Sequence, residues 1–324
     1  MLAAATLLPA CAVHPQSALD PKGTVARMEY GLMGFSLLIM LGVFAAVVIL
    51  LTFVLIRYRQ RGADQPLPKQ VEGSHVLELL WTAIPIILLV VLVIPTISDS
   101  FRLAAPAGAH ALRITAIGHQ WWWEFDYPDY GIVTADEMHM PTGQRVEVTL
   151  ESADVIHSFW VPSLGGKEET VPGQPNAMWL EADQAGIYPG QCAEFCGLSH
   201  SLMRFFAVAE SPAAFTRWVE ARRHPDTTPH SAMAQQGLAL FNQYGCGGCH
   251  AIDGTPAQGK VGPNLTGLGS RAVIVAGALQ NNALDLGQWI HDPGAIIPGT
   301  VMPPFAGLTD AQMQALTAYL EGLQ

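Results

Sequence analysis

The sequence has 324 residues, of which 50% are apolar and 13% are charged, and its formal net charge is −11. Soluble domains typically carry about 25% charged residues, so the composition argues against an ordinary soluble enzyme and against a disordered chain. The acidic balance disfavours nucleic acid as a partner, because phosphate binding requires clustered Lys and Arg side chains.

The first 24 residues are predicted to be a signal-like segment. Residues 1–10 are short and apolar, and Leu8-Pro9-Ala10-Cys11 resembles a bacterial lipoprotein cleavage site. The basic stretch that usually opens a signal peptide is missing. The sequence therefore predicts lipidation of Cys11, with an inert cysteine in a signal segment as the alternative.

Two long apolar runs follow, at residues 31–56 and 76–97, and the first has no charge over 26 positions. A helix of that length reaches about 39 Å, enough to cross a ~30 Å hydrocarbon core with some tilt. A buried helix of a soluble protein is the alternative, but runs this long are typical of membrane spans. We expect a transmembrane helix hairpin over residues 25–105.

The loop between the two runs, residues 57–75, has more basic than acidic side chains. Because Lys and Arg accumulate in cytoplasmic loops, this loop is predicted to lie in the cytoplasm. Both termini, and everything after about residue 98, are then predicted to be extracytoplasmic. The charged residues of the loop that carry this argument are Arg57, Arg59, Arg61 and Lys69 against Asp64 and Glu72.

Residues 106–210 have the pattern of short strands. Polarity alternates along residues 111–117 and again along residues 145–150, and turns such as Pro141-Thr142-Gly143 separate the strands. Regular short strands of this kind predict an all-β sandwich or barrel.

Metal-binding side chains cluster near the end of this region. Cys192, Cys196, His200 and Met203 fall within twelve residues, and His157 is available where a strand gives way to a loop. Soft sulfur with imidazole selects copper or zinc, and the thioether of Met203 favours copper. A Cys192–Cys196 disulfide is the alternative in an oxidising compartment.

Residues 25–210 together resemble subunit II of haem–copper cytochrome c oxidases. The resemblance implies a cupredoxin barrel that holds CuA, a centre of two copper ions bridged by two cysteine thiolates. A rigid barrel keeps such a site from relaxing between redox states. The copper-binding residues implied are His157, Cys192, the backbone carbonyl of Glu194, Cys196, His200 and Met203.

The same resemblance implies three further roles. The Glu194 side chain would reach a magnesium ion shared with subunit I. Trp121, in the aromatic stretch of residues 118–125, would receive electrons, where aromatic packing at a barrel surface is the alternative. Glu78 would lie at the mouth of a proton channel into subunit I, although a carboxylate at a membrane boundary can simply be solvated. Gln174 departs from the family, which more often has Arg there.

Residues 211–232 are polar and contain proline, so this stretch is predicted to hold the end of a helix followed by a linker, and residues 211–229 are assigned as the linker between the two domains. Cys246-Gly-Gly-Cys249-His250 then matches the C-x-x-C-H pattern of covalent haem c attachment. In that pattern two thiols add to the haem vinyl groups and the histidine binds iron. A zinc site or a redox dithiol are the alternatives.

Residues 230–324 resemble class I cytochromes c. The resemblance rests on Gly262-Pro263-Asn264-Leu265, on Met302-Pro303-Pro304-Phe305 and on an amphipathic helix at residues 311–323. Met302 would be the sixth iron ligand, and Met/His ligation raises the haem potential. Met233 and Met313 lie at helical positions and are expected in the domain core.

Charge differs between the two extracytoplasmic regions. Residues 106–210 carry 4 basic and 14 acidic side chains, and residues 230–324 carry 2 and 5. The copper region would therefore attract a basic soluble cytochrome c by long-range steering. The haem region is itself acidic, so net charge does not draw it to the copper region, and the linker would supply the proximity instead.

The sequence thus predicts a multidomain chain with a transmembrane hairpin, an all-β cupredoxin barrel and an all-α cytochrome c domain. We expect an electron-transfer subunit of a bacterial inner-membrane oxidase that passes electrons from haem c to CuA and on to subunit I, for O2 reduction coupled to proton pumping. The partners expected are oxidase subunit I, other oxidase subunits and a soluble or membrane cytochrome c. Alternatives are a nitric oxide reductase subunit, a quinol oxidase subunit without copper, and a free-standing membrane-anchored shuttle.

Overall fold

The computed structural model describes residues 16–60 and 72–324. Two long helices come first, α1 at Thr24–Arg57 and α2 at His75–Leu103. Their most apolar windows have mean hydropathies of 3.1 and 2.7 and no buried residues, so both helices are long and apolar enough to cross a membrane. The predicted lipidation of Cys11 lies outside the described residues, as do Arg61 and Lys69 of the loop.

Residues 28–105 form one compact unit, and residues 106–324 together with the start of α1 form the other. Within the second unit, the first turn of α1 is attached to the β-sheet region. The backbone N–H of Ala26 donates to the carbonyl of Leu164 at 3.1 Å, and Arg27 forms an ion pair with Asp183. Residues 24–27 therefore belong to the same compact unit as the sheets.

Ten strands between residues 112 and 210 form two five-stranded sheets. The first sheet has the order β3-β2-β1-β5-β8, and the second has the order β4-β10-β9-β6-β7. Within them, β1 and β5 are parallel, as are β4 and β10. The strands are β1 Leu112–His119, β2 Trp122–Tyr127, β3 Ile132–Ala135, β4 Glu137–Pro141, β5 Val146–Ser152, β6 His157–Trp160, β7 Lys167–Thr170, β8 Asn176–Leu180, β9 Gly186–Cys192 and β10 Arg204–Glu210.

The two predicted strand segments are present as β1 and β5. Their buried side chains alternate along the chain, as expected for strands with one face on a core. The centre of that core is aromatic, because Phe159 stacks on Phe205 at 4.7 Å between ring centroids and Trp123 meets Phe159 edge-on at 5.7 Å. The same core contacts a candidate metal ligand, because Trp123 also meets His157 edge-on at 6.0 Å between ring centroids.

Helix α3, Pro212–Arg223, lies inside the segment predicted as a linker. Ser211 caps it by accepting a hydrogen bond from the N–H of Ala214. Phe215 and Val219 enter the core of the sheets, and Trp218 stacks on His139 at 4.3 Å between ring centroids. The first half of the segment is therefore an element packed on the sheets.

The C-terminal region is built mainly from helices, namely α4 Ala232–Gln243, α5 Ala283–His291, α6 Pro293–Ile296 and α7 Asp310–Glu321. A short hairpin joins β11 Val273–Ile274 to β12 Leu279–Gln280. Helices α4 and α7 cross at Gly237, where an added Cβ would overlap the carbonyl oxygen of Ala315. Glycine at this position lets the two backbones come into contact.

The expectation that both Met233 and Met313 lie in the core was half wrong. Met313 is partly buried against the core of this region, but Met233 is 49% exposed. Helix α4 turns Ala234, Gly237 and Phe241 inward. Met233 precedes the first of these residues and lies outside that stripe, so it faces solvent.

Candidate metal and haem sites

Five side chains predicted to bind copper come from three neighbouring segments of the second sheet. His157 begins β6, Cys192 ends β9, and Cys196 follows in the loop. His200 lies in a short 3₁₀ turn in the same loop, and Met203 directly precedes β10. Because β6, β9 and β10 are neighbours in the sheet, their ends bring these side chains together.

The donor atoms of these residues form one connected cluster. The two cysteine Sγ atoms lie 3.7 Å apart, whereas a disulfide bond is about 2.05 Å long, so both cysteines are free thiols. Cys196 Sγ lies 3.6 Å from His200 Nδ1 and 3.8 Å from Met203 Sδ. Cys192 Sγ lies 3.9 Å from His157 Nδ1 and 3.2 Å from the carbonyl oxygen of Glu194.

The cluster is buried and electrostatically suited to a metal. Cys192, Cys196 and Met203 are at most 5% exposed, and His157 is fully buried. Contact with the Cys196 thiol and the hydrogen bond with His157 lower the pKa of the Cys192 thiol, while the neighbouring Cys192 raises the pKa of Cys196. Two cysteine sulfurs together with imidazole and thioether donors match the soft ligands that copper prefers.

Asp154 holds the copper-site histidine in place. Its carboxylate lies 2.7 Å from His157 Nε2, and its other oxygen accepts a 2.7 Å hydrogen bond from the N–H of Gln120. A carboxylate on the far nitrogen of a ligand histidine fixes the orientation of the ring and increases its basicity. No motif in the sequence marks Asp154, and its position three residues before His157 is the one local sign of this contact.

Trp121 connects the copper cluster with a cavity in the helical region. It is 8% exposed, and its indole N–H donates to the carbonyl oxygen of Cys196 at 3.2 Å. The side-chain amide of Gln120 donates to the same carbonyl at 2.7 Å. The indole of Trp121 also lines the cavity and contacts Gly299, where an added Cβ would lie 2.6 Å from the ring.

This cavity has a volume of about 260 Å³, and all the residues predicted to hold haem line it. Residues of the cytochrome-like region form most of its wall. The sheet region contributes Gln120, Trp121, Trp122, Ala135 and Asp136. The predicted haem residues on the wall are Cys246, Cys249, His250 and Met302. Large apolar side chains that line it include Phe241, Leu265, Leu268, Ile274, Leu286, Ile290, Leu316 and Leu320.

The cavity fits a haem by its chemistry. An apolar pocket with a few convergent polar groups is typical of a cofactor site. His250 donates from Nδ1 to the carbonyl oxygen of Pro263 at 2.8 Å, which leaves Nε2 as the lone-pair nitrogen. Burial lowers the pKa of His250, so the ring is neutral, as a metal ligand must be. Cys246 and Cys249 are both free thiols.

Local charge at the boundary of the two regions differs from their net charge. Burial raises the pKa of Glu124 and of Asp126 in β2, and the positive charge of Lys260 in the helical region offsets part of that rise at both carboxyls. A basic side chain of one acidic region therefore lies close enough to two carboxyls of the other to act on them.

Two predicted residues stand apart from these clusters. Glu78 lies in the first turn of α2, and its carboxylate is 3.4 Å from His75 Nδ1. The Glu194 side chain is half-buried. Within residues 16–60 and 72–324, the only group of three His, Cys, Asp or Glu side chains close enough to share a metal ion is His157, Cys192 and Cys196. A magnesium ion at Glu194 would therefore need ligands from elsewhere.

Three protein-family models match the chain in succession. Residues 22–99 match the transmembrane domain of cytochrome c oxidase subunit II, residues 132–210 match its periplasmic domain, and residues 234–324 match cytochrome c. The fold and the sites therefore define a membrane-anchored redox protein with a copper domain and a haem domain.

Relatives extend this result to the whole chain. Cytochrome c oxidase subunit 2 of Alkalihalophilus pseudofirmus is 42% identical over 95% of this chain and 91% of that protein. The subunit 2 of Bacillus sp. strain PS3 is 41% identical over 99% of this chain and 95% of that protein. Quinol oxidase subunit 2 of Bacillus cereus is 33% identical over 62% of this chain and 71% of that protein. The chain belongs to the cytochrome c oxidase subunit II family.

Family membership confirms the predicted fold class and the nature of the protein as an oxidase subunit. It implies copper in the sheet domain, haem in the helical domain, and assembly with subunit I and other subunits of a haem–copper oxidase. We refer below to residues 106–210 as the copper domain and to residues 230–324 as the haem domain.

Proposed function

We propose that this chain is the electron-transfer subunit of a terminal oxidase, taking electrons into its haem domain and delivering them through its copper domain to subunit I for O2 reduction coupled to proton pumping. When bound, the haem and the copper pair supply the one-electron redox chemistry. The residues of the chain hold both groups, exclude water and keep them in a constant arrangement.

One observation carries the proposal, namely the position of Trp121 between the two sites. Its indole N–H donates to the carbonyl of Cys196, and the same indole lines the cavity that contains His250 and Met302. A single buried side chain therefore contacts both the copper cluster and the haem cavity. That is the position an electron-accepting tryptophan requires.

In this proposal Cys192, Cys196, His157, His200, Met203 and the carbonyl of Glu194 would hold the two copper ions. Their soft donor set and close spacing support copper. Cys246 and Cys249 would attach the haem covalently through their thiols, and His250 and Met302 would bind its iron. The Glu194 carboxylate contributes to a magnesium site that subunit I completes.

The proposal also includes the setting of the subunit. The two apolar helices anchor it in the bacterial inner membrane, with the copper and haem domains on the extracytoplasmic side, as the basic loop supports. A soluble or membrane cytochrome c would be the donor. The acidic surface of the copper domain favours a basic partner. Glu78 would lie at the cytoplasmic mouth of a proton channel.

The experiment that tests this function is a Trp121→Phe substitution in the purified oxidase complex. The phenyl ring keeps an aromatic group at the cavity wall but removes the N–H that bonds Cys196. We expect two copper ions and one covalently bound haem per chain, as in the unmodified complex, and several-fold slower reduction of copper after rapid reduction of haem. Both quantities are measured by metal analysis and time-resolved absorbance.

Trp179→Phe is the matched control, because Trp179 lies in β8 and contacts Arg145 by a cation–π interaction away from the cavity. It should transfer electrons at the unmodified rate. One copper ion per chain with a blue-copper spectrum, or an unchanged rate in Trp121→Phe, would contradict the proposal. Activity on nitric oxide without activity on O2 would instead indicate a nitric oxide reductase.

A further inference from the structure

Three residues with unusual backbone conformations meet at one contact between the copper and haem domains. Asp136, Val275 and Ala276 have φ angles of 59°, 56° and 52°, and they are the only non-glycine residues with positive φ in the described part of the chain. Such conformations are unfavourable, especially for a β-branched residue such as Val275. They persist where the surrounding contacts hold them, often at sites that need a fixed geometry.

The carboxylate of Asp136 joins the two domains at this contact. One oxygen accepts a 3.0 Å hydrogen bond from the N–H of Trp123 in the copper domain. The other accepts a 3.0 Å hydrogen bond from the N–H of Ala276 in the haem domain. Asp136 is 8% exposed and Ala276 is 1% exposed, so water does not compete for either bond.

Asp136 is itself held firmly by the sheets. Its backbone N–H donates to the carbonyl of Trp123 at 2.9 Å, and its carbonyl accepts from the N–H of Phe206 at 2.9 Å. The carboxylate therefore projects from a fixed point between β2 and β10. A segment that hydrogen-bonds to this carboxylate is therefore held at a fixed position relative to the copper domain.

The segment that Asp136 binds is a wall of the haem cavity. Val275 and Ala276 form the turn between β11 and β12, and both line the cavity together with His250 and Met302. The next residue, Gly277, lies directly on the ring of Phe206, where an added Cβ would be 2.6 Å away. The turn is thus in close van der Waals contact with the copper domain and is also hydrogen-bonded to it.

The hydrogen bond from Ala276 to Asp136 is one tie between the two domains, and a second tie lies on the Met302 side of the cavity. The hydroxyl of Ser199 in the copper-binding loop donates to the carbonyl of Pro298 at 2.8 Å, and Gly299 contacts Trp121. The cavity is therefore attached to the copper domain at two separate places. Of the two, only the Asp136 tie uses a charged group to serve backbone N–H groups of both domains.

We propose that Asp136 is a positioning residue, whose buried carboxylate ties the β11–β12 turn to the copper domain and so sets the position of the haem cavity against Trp121. The tie itself is a property of this fold, and its effect on electron transfer rests on the proposed function above. A carboxylate is needed because its two oxygens serve both N–H groups at once. An amide has a single acceptor oxygen.

The test compares Asp136→Asn with the unmodified chain in the assembled oxidase. Asparagine tolerates the left-handed conformation and keeps the volume, but it can accept from only one of the two N–H groups. We expect amide hydrogen exchange in residues 275–278 to accelerate roughly tenfold, the effect of losing one hydrogen bond to a charged group. This measurement does not require haem or copper to be bound.

A second readout is the rate of copper reduction after haem reduction. It should fall roughly tenfold if the docked arrangement becomes that much less populated. Copper content, haem content and the two reduction potentials should stay unchanged, so that the slower rate reports geometry. Asp129→Asn is the matched control, because Asp129 is an exposed carboxylate of the same domain that pairs with Arg113. It should change neither quantity.

Asp136→Gly provides an independent variant, because glycine adopts the positive φ freely while leaving both N–H groups without the carboxylate. It should accelerate exchange at residues 275–278 at least as much as Asp136→Asn. Unchanged exchange in both variants would overturn the tie, and faster exchange with an unchanged electron-transfer rate would overturn its positioning role. Absence of haem-to-copper transfer in the unmodified chain would contradict the proposed function and leave the exchange result standing.

Discussion

In each proposed site, a hydrogen-bond acceptor beside the histidine fixes which ring nitrogen can face the metal. The Asp154 carboxylate holds His157, and the carbonyl of Pro263 accepts from His250. In each case one imidazole nitrogen is committed to a protein acceptor, so the other is available for metal. The ligand types can be read from motifs, but these supporting acceptors have no motif of their own.

Met302 supports a prediction at the same scale. Met302→Ala removes the thioether from the cavity wall that also carries His250, and a methionine ligand raises the haem potential. We expect the potential to drop by on the order of 0.1 V or more, within the range of ≈ 0.8 V that axial ligands set. Redox titration of the haem absorbance measures it.

Met233→Ala is the control for this substitution, because Met233 is a solvent-exposed methionine of the same domain. Its haem should keep the potential and the spectrum of the unmodified chain. An unchanged potential in Met302→Ala would mean that another group is the sixth ligand.

At the scale of elements, two short loops do most of the positioning. The loop between β9 and β10 carries four of the proposed copper-binding residues and also Ser199, whose hydroxyl donates to the carbonyl of Pro298 in the haem domain. The β11–β12 turn lines the proposed haem cavity, and the N–H of Ala276 in this turn donates to the Asp136 carboxylate. Strands flank both loops, and a site supported by strands is positioned more precisely than one on loops alone.

The crossing of α4 and α7 yields a prediction about stability. An added side chain at Gly237 would meet the carbonyl oxygen of Ala315, so Gly237→Val should push the helices apart. Overpacking of this kind costs about 1–3 kcal/mol, and a clash with backbone lies at the upper end. Chemical denaturation followed by haem absorbance should show a lower midpoint.

Gly307→Ala serves as the comparison, because an added Cβ at Gly307 meets nothing within 4 Å. The denaturation midpoint of that variant should match the unmodified chain. A midpoint for Gly237→Val that also matched would mean that the two helices can separate without loss of packing.

For the molecule as a whole, net charge and local charge give different results. Nearly all of the net charge of −11 falls on residues 106–210, which carry 14 acidic and 4 basic side chains. Both domains are acidic, yet Lys260 lies where it acts on Glu124 and Asp126. The broad acidic field can therefore attract a basic partner over a distance, while Lys260 offsets part of the acidic charge on β2.

Proton uptake gives a prediction for the assembled oxidase. Glu78 lies at the start of α2 and far along the chain from both redox sites. Glu78→Gln should slow proton uptake, because the amide cannot exchange a proton as a carboxyl does, while copper content, haem content and haem-to-copper transfer stay unchanged. Stopped-flow measurement with a pH indicator provides the readout.

Glu72→Gln is the control, because Glu72 is another exposed carboxylate and lies just before the first residue of α2. It should leave proton uptake at its normal rate. Equal uptake in Glu78→Gln and Glu72→Gln would mean that Glu78 is an ordinary solvated side chain. That is the alternative for a carboxylate at a membrane boundary.

The sequence by itself determined the two apolar helices, the strand domain and the helical domain, and it supplied the proposed ligand types of each site. These features are encoded locally. An apolar helix of this kind is a continuous run, and most of the proposed copper and haem ligands lie within motifs of a few residues. Local patterns of this kind can be recognised without knowledge of how distant segments pack.

Only the tertiary structure decided how these parts meet. It separates the Cys192 and Cys196 sulfurs by 3.7 Å, turns Met233 outward, and packs α3 on the sheets within the predicted linker. It also joins Asp136 to Ala276, which is 140 residues further along the chain. The physical reason is that these outcomes depend on burial and on hydrogen bonds between distant segments, and no local pattern specifies which distant partner a buried group will find.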